Sequence, residues 1–223
     1  MTCIRHIFLK RAFMASMLLW ASIVVTPAMA ASIQYSFTGN VDNVHNQLSS
    51  TFNTTQSMEG LMTVNTSDTN GSGTFGNFAI ETFTVTIGGY TATWGMGTSG
   101  LVEIRNGPGN AAGADRFNVT VTAPSGGNVN FLGPRIFDIQ LRGPNSIFSS
   151  DALPTTSPSI ASFTNRNLWR LVFGPGNGHV VRGDITSMTV VPLPAAVILF
   201  GAGLVARVGL GAGSWRHKKN SFA

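Results

Sequence analysis

The chain has 223 residues, of which 43% are hydrophobic and only 10% are charged, and its formal net charge is +5 at neutral pH. The positive charge lies at the two ends, because the segment 31–190 has seven arginines, no lysine and nine acids, a formal charge of −2. A basic nucleic-acid-binding domain is therefore not predicted. This segment of about 160 residues is long enough for one domain with its own core, which must form without a disulfide because the single cysteine is Cys3.

Residues 1–30 have the three parts of a secretory signal peptide. A basic region ends at Arg11, an apolar region follows it, and Ala28-Met-Ala30 is a small-residue cleavage site. We expect signal peptidase to cut after Ala30, so that the exported protein begins at Ala31.

The central segment, 31–190, alternates apolar and polar residues, which is typical of β-strands with one buried face. About ten short strands separated by turns predict an all-β domain, a single antiparallel β-sandwich, with a barrel-like closure as the alternative. The clearest alternation covers 33–38, 82–87, 116–122, 135–141 and 167–173, and weaker alternation covers 58–64, 73–79, 90–94, 100–104 and 179–191.

Glycine and proline mark the connections between these segments. Gly88-Gly89 predicts a two-residue hairpin turn, and looser turns are predicted at 107–110, 125–128 and 174–177. The proline-rich stretch 147–162 cannot be a central strand, so it is interpreted as a long surface loop with a helical turn.

Residues with the chemistry of an active site are scattered. His45 and His179 lie in no metal-ligand spacing, no G-x-S-x-G elbow is present, and the acids occur singly. The sequence therefore predicts neither an enzyme nor a cofactor-binding protein, although a distant carboxylate pair of a hydrolase would be invisible at this level.

One stretch has the oxygen-rich spacing of a calcium loop. Asp68, Asn70 and Ser72 occupy positions 1, 3 and 5 with glycine at position 6, but position 12 is Ala79 instead of a bidentate Glu. A polar hairpin tip with Asx-type hydrogen bonds explains the same residues and is the favoured interpretation.

Two tryptophans are candidates for stacking on a carbohydrate. Trp94 and Trp169 each belong to an alternating apolar face, however, so packing in the core is the favoured prediction for both.

The C-terminal residues 191–223 have the order of a membrane-targeting signal. A Val191-Pro192-Leu193-Pro194-Ala195 motif precedes an apolar stretch of roughly twenty residues, enough for a transmembrane helix. The basic residues that follow place the C-terminus in the cytoplasm by the positive-inside rule. These basic residues are Arg216, Lys218 and Lys219.

This tail resembles the PEP-CTERM sorting signals of Gram-negative bacteria, in the variant with a VPLPA motif. The resemblance implies processing by an exosortase, a membrane protease, and transfer from the membrane to the cell surface or the extracellular matrix. The segments 35–41 and 148–154 are similar to features of uncharacterised exported domains with such tails, which implies a β-sandwich and no known catalytic residue.

Three classes of function are consistent with these features. The first is a structural or adhesive protein of the envelope or the exopolysaccharide matrix, with signal peptidase, an exosortase and membrane lipid as its processing partners. The second is a carbohydrate- or calcium-binding module, and the third is an exported hydrolase.

Overall fold

A computed structural model describes residues 32–69, 75–107, 114–176 and 178–191. The predicted signal peptide and every residue after Val191 lie outside these ranges, so the expectations about them stay predictions.

The described residues form twelve β-strands and two short 3₁₀ turns. Each segment predicted as a strand overlaps one of them: 75–79 and 82–87 merge into one strand, 90–94 forms a strand only to Thr93, and 179–191 divides into two, while 73–74 lie outside the described residues. The turns are Asn46–Leu48 and Ile160–Ser162. The strands are β1 Ser32–Asn40, β2 Asn43–Val44, β3 Ser57–Asp68, β4 Phe75–Ile87, β5 Tyr90–Thr93, β6 Ser99–Arg105, β7 Asp115–Thr122, β8 Ser125–Gly126, β9 Pro134–Gly143, β10 Arg166–Phe173, β11 His179–Gly183 and β12 Ile185–Val191.

All strands belong to one antiparallel sheet in the order β12-β1-β3-β4-β6-β7-β9-β10-β11-β2, with β5 and β8 attached beside β4. The strand at one end of this path, β12, follows β11 near the other end after a single residue, Asp184. The sheet is therefore curled. The prediction of an antiparallel β domain is confirmed. A sandwich consists of two sheets, however, and the hydrogen bonds of this domain join its strands into one sheet.

The curl encloses a core of large side chains from distant strands. The rings of Phe37 and Phe83 lie 5.8 Å and 5.0 Å from that of Phe137, and Trp169 stacks 6.4 Å from the same ring. Because these four rings come from β1, β4, β9 and β10, the inner faces of separated strands pack on each other as two layers would.

Gly60 makes room for one of these rings. It lies directly opposite Phe37 in the β1–β3 register, and a Cβ at this position would collide with the ring of Phe37. Because Gly60 has no side chain, the ring of Phe37 can lie flat against strand β3.

The predicted hairpin at Gly88-Gly89 is confirmed, because Ile87 pairs with Tyr90 and Gly88 has a φ of 57°. The turn predicted at 125–128 is wrong in its first half: Ser125–Gly126 is a short strand that pairs with β5. Gly174 and Gly176 adopt positive φ between β10 and β11, as a turn there requires.

The predicted loop over 147–162 is confirmed, with one 3₁₀ turn at its end. Its anchor is Asp115, which is fully buried. One carboxylate oxygen accepts from the backbone N–H of Gly107 at 2.7 Å. The other accepts from Ile147 and Phe148 at 2.9 Å and 2.8 Å. The carboxylate therefore joins two connections to the start of β7.

We predict that Trp169→Ala lowers the free energy of unfolding by about 3 to 5 kcal/mol, because the ring is fully buried and its removal leaves a cavity. The indole N–H also donates to the backbone oxygen of Asn40 at 2.9 Å. Urea unfolding followed by circular dichroism measures the change. Trp94→Ala is the matched control and should cost less because Trp94 is only half-buried. An unchanged midpoint for Trp169→Ala would contradict this packing.

Candidate functional site

The sorting residues predicted from the sequence lie at or beyond the ends of the described chain. Val191 is the last residue of β12 and pairs with Gln34 of β1. Within the described ranges, no helix has the length and apolar character needed to span a bilayer. The remaining predicted residues are outside those ranges: Ala28, Ala30, Ala31, Pro192, Leu193, Pro194, Ala195, Arg216, Lys218 and Lys219.

The calcium-loop candidate is described only at its first position. The carboxylate of Asp68 accepts from the backbone N–H of Asn77 at 2.9 Å, and Thr69 donates its N–H to the Asn77 oxygen at 2.8 Å. Both contacts link the end of β3 to Asn77 of β4, nine residues along the chain from Asp68. Asn70 and Ser72 lie outside the described residues, among which no group of three or more His, Cys, Asp or Glu could hold a metal ion.

The prediction that Trp169 packs in the core is confirmed by its complete burial. Trp94 is half-buried and packs against the same core. The ring of Trp169 is therefore not available for stacking on a sugar.

The two histidines of the domain lie together, which sequence reasoning missed. Their ring centres are 4.9 Å apart, with the planes nearly perpendicular. His45 Nδ1 accepts from the backbone N–H of Gln47 at 3.3 Å and caps the first 3₁₀ turn. A pair of histidines supplies two of the three or four protein ligands that a zinc site needs.

The most distinctive feature of the described surface is a line of four arginines on the outer face of the sheet. In the strand registers Arg105 is opposite Arg116, Arg116 is opposite Arg142, and Arg142 is opposite Arg166. These residues, called the arginine row below, come from the adjacent strands β6, β7, β9 and β10. At a strand spacing of about 4.8 Å, the row spans roughly 15 Å.

Buried neighbours hold the row on the outer face. Ile104, Phe117 and Leu141, each next to an arginine of the row, are fully buried. Because side chains alternate across a strand, burial of these residues turns the adjacent arginines outward. The arginines are thus aligned by the packing of the core and not by contacts with each other.

A second row, of polar residues, runs beside the first. Glu103, Asn118 and Gln140 face one another across β6, β7 and β9. Glu103 accepts from Arg105 Nε and Nη2 at 2.8 Å and 2.9 Å and from Asn118 Nδ2 at 3.2 Å. The hydrogen bond from Arg105 is the largest of the effects that hold the pKa of Glu103 below its ordinary value.

The other outward-facing acid on the four strands of the arginine row is Asp138, which is 3% exposed and bonded to Arg170 Nε at 2.6 Å. Burial raises the pKa of Asp138, and the Arg170 guanidinium and the amide of Gln140 oppose that shift. The sequence pattern correctly places Asp138 on the outer face but does not show that neighbouring side chains cover it.

Most of the arginines on this face form no ion pair with a carboxylate of the described residues. The described residues form two ion pairs, Arg105–Glu103 and Arg170–Asp138, and neither involves Arg116, Arg142 or Arg166. The Nε atoms of Arg116 and Arg142 are buried without a hydrogen-bond partner. Burial lowers the pKa of Arg142, and the positive charges of Arg116, Arg166 and Arg105 lower it further.

The arginine row continues into a groove of about 320 Å³ at the β10–β11–β2 end of the same face. Its basic lining consists of Arg166, Arg170 and Arg182, beside Asn43 and His45. Six of the seven arginines of segment 31–190 therefore lie on one face of the sheet, although the segment as a whole is acidic.

A larger cavity, of about 750 Å³, lies within the loop that connects β9 to β10. Serine, threonine, proline and a few apolar side chains line it, without a charged group. It therefore lacks the acid, base or cation that most reaction mechanisms or anion binding would need.

Comparison of the chain with protein families, with curated proteins and with solved structures finds no match. What the site can do is therefore argued from its geometry. A line of guanidinium groups with few protein carboxylates can bind an extended anion through charge-assisted hydrogen bonds.

We predict that Glu103→Gln destabilises the protein at neutral pH, because Arg105 loses its carboxylate and the row loses its nearest negative charge. The folded-state pKa of Glu103 is lowered, so its stabilising contribution is complete above its unfolded pKa of about 4.3 and disappears as pH falls through the lowered value. The stability difference between wild type and variant should therefore narrow as the pH falls from 5 towards 2.

Urea unfolding at several pH values measures this difference. Glu59→Gln, at an exposed strand position, is the matched control and should follow the wild type at each pH. A gap between wild type and Glu103→Gln that stays constant across the acid range would contradict the role assigned to Glu103.

Proposed function

We propose that this protein is an exported, non-enzymatic protein of the cell surface or extracellular matrix, with a structural or adhesive role toward an exopolysaccharide. The observation that carries the adhesive role is the arginine row, because it is a built surface feature and not a scatter of charges. The export part rests on the order of signal peptide, β domain and VPLPA-type tail in the sequence.

The chemistry of this face favours binding over catalysis. Guanidinium groups stay protonated at physiological pH, so they are poor general bases and nucleophiles but strong ligands for carboxylates, sulfates and phosphates. The two outward-facing acids on the strands of the row, Glu103 and Asp138, are each bonded to an arginine. Such pairing favours a positioning role for them over general acid–base chemistry.

We further infer that the curled sheet is the ectodomain, with sandwich-type packing, between a signal peptide at 1–30 and a sorting tail at 191–223. In this proposal the exosortase acts near Pro194, and the apolar segment after Ala195 holds the protein in the membrane until it is cut. The basic residues at the end keep the C-terminus in the cytoplasm.

Pro194→Ala tests the export part. The variant should accumulate in the membrane with its tail attached, because loss of the rigid Pro-Leu-Pro segment lets the backbone there join the helix. Tags after Ala31 and after Lys219 report both ends on immunoblots of membrane and medium. The first tag follows Ala31 and is not placed next to Val191, because Val191 belongs to β12 and pairs with Gln34 of β1.

Pro158→Ala, in the loop before β10, is the matched control and should be processed like the wild type. The comparison is made in a host with an exosortase and in one without. If Pro194→Ala is processed normally, or if loss of the tail does not depend on the exosortase, the sorting proposal is wrong.

A further inference from the structure

We infer that the arginine row binds a linear acidic polysaccharide, a chain whose sugars carry carboxylates and free hydroxyls, lying across strands β6, β7, β9 and β10. This inference rests on the proposed function and names its ligand class. The supporting observations are the alignment of the row, its uncompensated charge and the polar row beside it.

The alignment favours a polymer over a small anion. A single carboxylate or phosphate needs one or two guanidinium groups, whereas this row repeats a guanidinium on four adjacent strands at about 4.8 Å intervals. The repeated charge forms a line across the sheet, so a ligand that follows it must itself be extended and repeatedly charged.

The unliganded row is electrostatically unfavourable. Like charges directly opposite each other on neighbouring strands destabilise a sheet, and the row contains three such contacts in succession. The carboxylate of Glu103 relieves the Arg105 end, but the described residues place no ion pair on Arg116, Arg142 or Arg166. A bound polyanion supplies the missing counter-charge along the whole line.

The polar row identifies the polyanion as a sugar chain. Asn118 donates its Nδ2 to Glu103, which fixes the orientation of the amide and leaves Oδ1 without a hydrogen-bond donor. The neighbouring Arg116 Nε lacks an acceptor. Both residues are half-buried, so a modest rotation turns these atoms toward a ligand. A uronate offers hydroxyl donors to Asn118 Oδ1 and a carboxylate acceptor to Arg116 Nε, whereas a phosphodiester offers only acceptors.

The same face is poorly suited to a nucleic acid, which single-strand-binding proteins hold by stacking bases on exposed aromatic rings. In the described part of the row the aromatic neighbour is Phe75, and its ring is already covered by the Arg105 guanidinium at 4.9 Å. Arg142, at the middle of the row, is flanked by Gln140 and by backbone with no ring on the outer face of β9.

The test measures binding of polygalacturonate to the exported full chain, purified from membranes in detergent, at about 0.15 M salt. The row variant Arg116→Gln with Arg142→Gln should bind at least about tenfold more weakly, a loss of about 1.4 kcal/mol. The charge-matched control for either single row change, Arg116→Gln or Arg142→Gln, is Arg135→Gln. Arg135 lies on β9 like Arg142 but donates to the Gly176 backbone oxygen, away from the row. The affinity of this control for polygalacturonate should stay within about twofold of that of the wild type, a much smaller change than the tenfold loss expected for the row variant.

Arg142→Lys is a second variant that keeps the charge but removes the bidentate fork, and it should bind with intermediate affinity. Unchanged binding by the row variant, or a loss in the control equal to that of a single row change, would overturn the inference, since general attraction to the basic residues of the chain would then explain binding. Tighter binding of single-stranded DNA or of phosphatidylglycerol vesicles than of polygalacturonate would also overturn it, in favour of that other ligand. Dextran, which is neutral, should not bind.

This experiment separates the two proposals because it uses purified protein and ignores processing. Normal tail processing with no binding to polygalacturonate would remove the ligand assignment alone. Row-dependent binding together with failed processing would instead remove the sorting proposal.

Discussion

The register of β7 against its neighbours is the constraint on which the outer surface depends. Phe117 is fully buried and packs 5.8 Å from the ring of Tyr35, so β7 cannot shift by one residue without moving a phenylalanine into solvent. That same register places Arg116 between Arg105 and Arg142. The burial of large side chains on one face thus determines the arrangement of charge on the other, and a binding surface arises from core packing.

The curl of the sheet depends on a second local feature, the hydrogen bonds near Asp184, which is the single residue between β11 and β12. The β1–β12 register shifts between Thr38 and Gly39, and the N–H of the next residue, Asn40, donates to the backbone oxygen of Asp184 at 3.1 Å. The Asn40 oxygen in turn accepts from Trp169 Nε1, which links β1 to β10 across the curl. These bonds hold together the two ends of the sheet path, and the groove with Arg182 and His45 lies beside them.

The strands were predictable from the sequence because period-two alternation is local, and so was the Gly88-Gly89 turn. The arginine row was not, because it depends on which strands pair and in which register. Arg105 and Arg166 are far apart in sequence and are joined only through β7 and β9. The sequence did hold part of the information, because Arg116 and Arg142 occupy polar positions of alternating apolar and polar segments. Alternation predicts that such residues face outward, but it does not predict which residues of other strands lie beside them. Burial of Asp115 and Asp138 was missed for the same reason, since their hydrogen-bond partners lie on distant segments.

The central claim is that the core register places like charges directly opposite each other, and a double-mutant cycle at Arg116 and Arg142 tests it most directly. The free energies of unfolding of the wild type, Arg116→Gln, Arg142→Gln and the double variant are measured by urea titration at low and high salt. Either single change relieves the same repulsion, so the double variant should gain less stability than the sum of the two single gains, by a few tenths of a kcal/mol at low salt. This difference should shrink at high salt, because ions screen the repulsion. Additive effects at both salt concentrations, or a coupling of the opposite sign, would contradict the account.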